Sequence, residues 1–89
     1  MGAVAETMRK KLEKAFAPTR LEITDDSDKH KGHAGAREGG ESHFTVVIES
    51  AAFAGVGRVD RQRMVNKALA EELAGPVHAL SISASAPGA

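Results

Sequence analysis

Four histidines, His30, His33, His43 and His78, are the side chains of this 89-residue chain best suited to coordination chemistry, because it holds no cysteine. A neutral imidazole nitrogen is a competent ligand for iron and other transition metals. Three of the four lie in, or at the exit of, one glycine-rich connection (26–42), and the fourth opens the last apolar run. Pattern alone gives each a quieter reading. His78 alternates with Leu80 and Ile82 and reads as a histidine packed on a strand face. His30 and His33, in Asp28-Lys29-His30-Lys31-Gly32-His33, read as solvated loop residues. His43 begins a strand and reads as structural, with metal ligation the minority alternative. A structural zinc site fits poorly, since it needs four ligands and usually thiolates among them.

The second group with chemical potential is basic. Arg58, Arg61, Arg63 and Lys67 crowd the first half of an expected helix, opposed only by Asp60. As a rule such a run is a solvated helix face. As a site it would meet phosphates or an acidic partner surface. Arg61 and Arg63 stand two residues apart and cannot share a helix face, so a single phosphate-reading stripe is a poor fit. Twelve basic and twelve acidic residues cancel, which disfavours a protein coated in charge for sequence-blind nucleic-acid binding. Three phenylalanines are the only aromatic residues, too few for a base-stacking platform. No nucleophile triad, phosphate loop or dinucleotide fingerprint is recognisable, and the chain reads as a non-enzyme.

These residues need a scaffold, and the length allows one domain, 1–89. No apolar run approaches a membrane span of ~18 residues, and neither a secretory signal nor a myristoylation pattern opens the chain. With no disulfide to form, a reducing, cytoplasmic setting is expected. Val4, Met8, Leu12, Ala15 and Phe16 recur at steps of three or four and predict a helix over 4–16, stopped by Pro18. Strands are expected at 20–25, from Leu21 and Ile23, and at 43–49, from Phe44, Val46 and Ile48. The intervening connection has four glycines and no large apolar side chain. It exceeds the ~12–15 residues beyond which structureless loops tend to be functional or disordered, and is expected to be flexible. A short helical turn ending at Gly55, a long helix over 59–73 carried by Val65, Leu69 and Leu73, and a last strand over 77–83 complete the order. The core is expected over about 6–83, with a frayed tail from 84 to 89.

The blocks Glu41-Ser42-His43-Phe44, Phe53-x-Gly55, Arg61-x-Arg63-x-Val65, Leu69-Ala70-Glu71-Glu72-Leu73 and Val77-His78-Ala79-Leu80, in this order, resemble the BolA family. The resemblance runs from about Met8 to Ser83, with Gln62 departing from the histidine many members carry there. It implies an α+β fold, the αββααβ class II KH-like two-layer sandwich with a mixed three-stranded sheet, and it implies no Gly-x-x-Gly loop; Gly55-Val56-Gly57 is not that motif. It further implies a monothiol glutaredoxin of the CGFS type as heterodimer partner, with a 2Fe-2S cluster shared between them and glutathione. The metal ligands carried over are His78 and a loop histidine, His30 by its distance after Asp25-Asp26-Ser27, or His33. A 2Fe-2S cluster takes four protein-side ligands, so two imidazoles leave two positions for a glutaredoxin and a glutathione cysteine. Neutral imidazole ligation would weaken such a complex in acid. Alone, the chain is expected to carry no cofactor and to be a monomer or weak homodimer. The family's other implied role is a DNA-binding transcriptional regulator, here through residues 58–67.

Overall fold

The structure, a computed structural model, describes residues 2–26 and 42–88. His30 and His33 lie outside the described residues. Helix α1 spans Ala3–Phe16. It packs Met8 and Leu12, both fully buried, into the core, and Ala5 joins them. Ala15 is exposed; the buried stripe of α1 runs through Ala5 instead. Ala17 closes the helix in the left-handed region at φ 45° and donates its N–H to the Glu13 carbonyl, with Pro18 barring continuation.

Strand β1 (Arg20–Asp25) runs antiparallel to β2 (His43–Glu49), which pairs in parallel with β3 (Ala79–Ser85). The order β1-β2-β3 puts β2 at the centre of a mixed three-stranded sheet, as expected. Phe44, Val46 and Ile48 alternate into the core from β2, while Leu21 and Ile23 cover it from β1. A 3-10 turn at Ala51–Phe53 follows β2, and Gly55, at φ 74°, ends the bend as only glycine does without strain. Fully buried Phe53 meets the Phe16 ring at a centroid distance of 5.0 Å.

The helix expected over 59–73 is two helices, α2 (Arg58–Ala68) and α3 (Ala70–Ala74). They meet at Leu69, where φ −106° and ψ 21° leave the helical region. The Leu69 N–H is shared between the Val65 and Lys67 carbonyls, and its side chain is fully buried. No proline or glycine marks the bend, so periodicity reads straight through it.

The last strand lies two residues later than expected. The Val77 N–H donates to the Glu72 carbonyl, so Val77 belongs to the closure of α3, and its side chain plugs the core. The ladder then holds to its far end, where the Ser50 N–H donates to the Ser85 carbonyl at 2.9 Å. Ala84 and Ser85 are therefore strand and not frayed tail.

Two buried polar groups tie the layers. Fully buried Ser50 donates its hydroxyl to the Phe16 carbonyl at 2.6 Å and accepts the Ala52 N–H at 3.1 Å. Ser50→Ala orphans both groups and is expected to cost about 1–3 kcal/mol in urea unfolding; an unchanged midpoint would show that water replaces the hydroxyl. Glu72, with a side chain 10% exposed, receives the Lys11 ammonium at 2.8 Å. The hydrogen bond to Glu72 raises the Lys11 pKa above the ordinary 10.5, against an opposing effect of burial and with help from Glu71. A group whose folded-state pKa is raised stabilises fully below its unfolded value and loses that stabilisation as pH climbs through the folded one. Melting temperature is thus expected to fall more steeply above pH 10.5 in the native chain than in Lys11→Met; parallel declines would contradict the pairing.

Candidate functional site

The site grows from the start of β2 and β3. Ser42, 2% exposed, holds both strands there. Its carbonyl accepts the N–H of His78 at 2.7 Å and that of Ala79 at 3.2 Å. Its hydroxyl lies 2.9 Å from Nδ1 of His43. One buried residue thus fixes the main chain beneath one imidazole and the ring of the other, and a hydrogen bond at one ring nitrogen orients a histidine. The two rings stand side by side, centroids 6.3 Å apart and tilted by 41°.

His78 does not share the buried face of Leu80 and Ile82. It precedes the strand, and it is exposed where Leu80 and Ile82 are half-buried. That corrects the packed reading of pattern alone and leaves a rigidly mounted, solvent-facing imidazole. His43 is half-buried.

The connection carrying His30 and His33 departs from and returns to this end of the sheet. The Asp26 N–H donates to the His43 carbonyl at 2.7 Å, and the Thr45 hydroxyl donates to the Asp26 carboxylate. Asp26 on one side and Ser42 on the other therefore flank His43. Among the described residues no three metal-binding side chains converge, and this end offers two imidazoles.

The basic run is dispersed. Arg61 is engaged in structure: Nε donates to the Val56 carbonyl at 2.8 Å and Nη1 to the Ala84 carbonyl at 3.1 Å, strapping α2 to β3. Arg63 faces Asp60 at 3.5 Å. Arg58 and Lys67 are exposed. Arg61 and Arg63 thus point apart, as their spacing predicts. Arg61 reaches the far end of β3, so this group and His78 lie about 20 Å apart along the strand.

Sequence reasoning missed Ser42 as the common support of both imidazoles, and Arg61 as a strap. The signal for the first is a serine directly before a strand-opening histidine; nothing local signals the second.

The chain matches the family model described as BolA-like protein over residues 12–89. It is 47% identical over 87 residues to an uncharacterised protein of a Sinorhizobium species, covering 97% of this chain and 94% of that one. Mouse BolA-like protein 1 is 45% identical over 86 residues, but the match spans 97% of this chain and only 60% of the mouse protein. The DNA-binding transcriptional regulator BolA of Vibrio cholerae is 42% identical over 79 residues, 89% of this chain and 71% of the regulator. Among solved structures, the BolA domain of SufE1 from Arabidopsis thaliana superposes with a TM-score of 0.87 at 41% identity, covering 98% of this chain and 95% of that domain.

Proposed function

This chain belongs to the BolA-like protein family, and from that membership we propose that it is a non-catalytic iron–sulfur adaptor of the cytoplasm. It pairs with a CGFS monothiol glutaredoxin as a heterodimer and shares a 2Fe-2S cluster, through His78 and either His30 or His33, for cluster trafficking or iron-responsive regulation. When bound, the cluster supplies a redox-active and transferable group; this chain's part is to present imidazoles, since it has no thiolate.

The observation that carries the reading is the mounting of His78: exposed in its side chain and pinned in its main chain by the buried Ser42 carbonyl. Chain length favours a loop partner. Asp26 and Ala79 are separated by two strand spacings, about 10 Å. Four residues from Asp26 to His30 span up to about 14 Å, and the reach to His33 is longer. Both loop histidines can therefore approach His78.

The test is an anaerobic titration of this protein into a cluster-loaded CGFS glutaredoxin homodimer with glutathione, followed by visible circular dichroism. A new cluster spectrum complete at one-to-one stoichiometry is expected. An unchanged spectrum would remove the adaptor role.

DNA binding by α2 is the second reading, favoured by exposed Arg58 and Lys67 and by the regulator named among the relatives. With Arg61 engaged, at most Arg58, Arg63 and Lys67 meet phosphates, so affinity would fall with salt at a log–log slope of about 2–3.

A further inference from the structure

We propose that the outer edge of β3, with the arginine-lined groove beside it, takes an extended acidic peptide segment of a partner protein as a fourth strand. This proposal is independent of the cluster reading and concerns the opposite end of β3 from His78.

The ladder dictates the edge. The Ala79 N–H donates to the Ser42 carbonyl, and the Ser85 carbonyl accepts from the Ser50 N–H. Odd-numbered residues of β3 therefore turn their peptide groups toward β2, and Leu80, Ile82 and Ala84 turn theirs outward. With β3 last in the sheet order, that row faces no strand among the described residues. Soluble proteins blunt such rows with charges, proline or bulges. Ala79-Leu80-Ser81-Ile82-Ser83-Ala84-Ser85 carries none of these, and its pairing with β2 is unbroken in register. The other edge strand differs, bearing Arg20, Glu22 and Asp25. Among the described residues, one outward group of β3 is covered, the Ala84 carbonyl, by Arg61.

The groove gives the occupant its charge. A cavity of about 290 Å³ runs between α2 and this edge, lined by Arg58, Arg61, Gln62, Ile82, Ser83 and Ala84. Among the described residues no carboxylate lines it, and the acid on α2, Asp60, faces Arg63. An extended peptide added to the edge would gain main-chain hydrogen bonds from the outward groups and set alternate side chains against the guanidinium of Arg58. Two other occupants fit less well. Single-stranded nucleic acid needs exposed rings for stacking, whereas Phe44 and Phe53 are buried and the chain has no Trp or Tyr. A second copy pairing β3 on β3 would bring no carboxylate to Arg58, because β3 has none.

The experiment uses the full chain, labelled with 15N, and a seven-residue peptide of alternating Glu and Val. The amides of Leu80, Ile82 and Ala84 are expected to shift and to exchange more slowly on binding. A peptide N-methylated at alternate positions should lose binding, and Arg58→Glu should weaken it about tenfold, while Lys10→Glu on exposed α1 leaves it unchanged. Four results would each overturn the proposal. These are no shift at millimolar peptide, equal binding of the N-methylated peptide, tighter binding of oligothymidylate at the same amides, and protection of those amides that rises with protein concentration alone.

Discussion

His78→Ala is expected to abolish formation of the mixed cluster with glutaredoxin while leaving the fold untouched. The two halves of that expectation rest on different atoms. The hydrogen bond that holds His78 in place is made by its main-chain N–H to the Ser42 carbonyl, which alanine retains. Its side chain is exposed, and surface substitutions of this kind change stability by no more than about 0.5 kcal/mol. The imidazole, by contrast, would be one of two ligands this chain contributes. Loss of an outer-shell partner alone typically lowers metal affinity 10–100-fold, so loss of a ligand should be at least as damaging. Circular dichroism in the visible range should then show only the glutaredoxin's own cluster, with far-ultraviolet spectrum and melting temperature unchanged. His30→Ala and His33→Ala, measured beside it, assign the loop ligand: one should reproduce the defect and the other should not. A His78→Ala protein that still forms the one-to-one cluster would overturn the ligand assignment.

Phe53→Ala is expected to be the most destabilising single truncation. Phe53 is fully buried, meets the tilted Phe16 ring at a centroid distance of 5.0 Å, and sits in the 3-10 turn tied by its N–H to the Ser50 carbonyl. Removing a buried ring costs about 3–5 kcal/mol, the transfer of its atoms plus the cavity left behind. Domains of this size hold together by roughly 5–15 kcal/mol in total, and each kilocalorie shifts the melting temperature by about 4–8 °C. The variant should therefore be partly unfolded near 37 °C. Phe53→Leu keeps most of the volume and is expected to cost less than half as much. Urea midpoints for the pair provide the check; equal midpoints would mean that the pocket collapses around alanine.

Alternation and period made the two layers legible. Leu21 and Ile23, then Phe44, Val46 and Ile48, mark β1 and β2 to the residue, because one wet and one dry face leave a period of two. The bend at Leu69 and the late start of β3 were not legible. Both depend on where main-chain hydrogen bonds go: the Leu69 N–H to two carbonyls, the Val77 N–H back to Glu72. No side-chain pattern records those choices. The family resemblance singled out His78, yet its exposure followed only from the placement of β3, and its support by Ser42 only from the meeting of residues far apart in sequence. Arg61 shows the converse. Its charge and neighbours suggested a binding surface, and the structure gives it two carbonyls of its own chain.

Imidazole nitrogen of this chain is expected to bind the shared cluster. Pulsed electron paramagnetic resonance of the reduced heterodimer tests it most directly, with histidine of this protein alone labelled with 15N and the glutaredoxin unlabelled. Strong nitrogen couplings that change from 14N to 15N character on labelling are expected, and His78→Ala, which forms no mixed cluster, should show none of them. A reduced cluster without histidine couplings, ligated by thiolates only, would contradict this ligation.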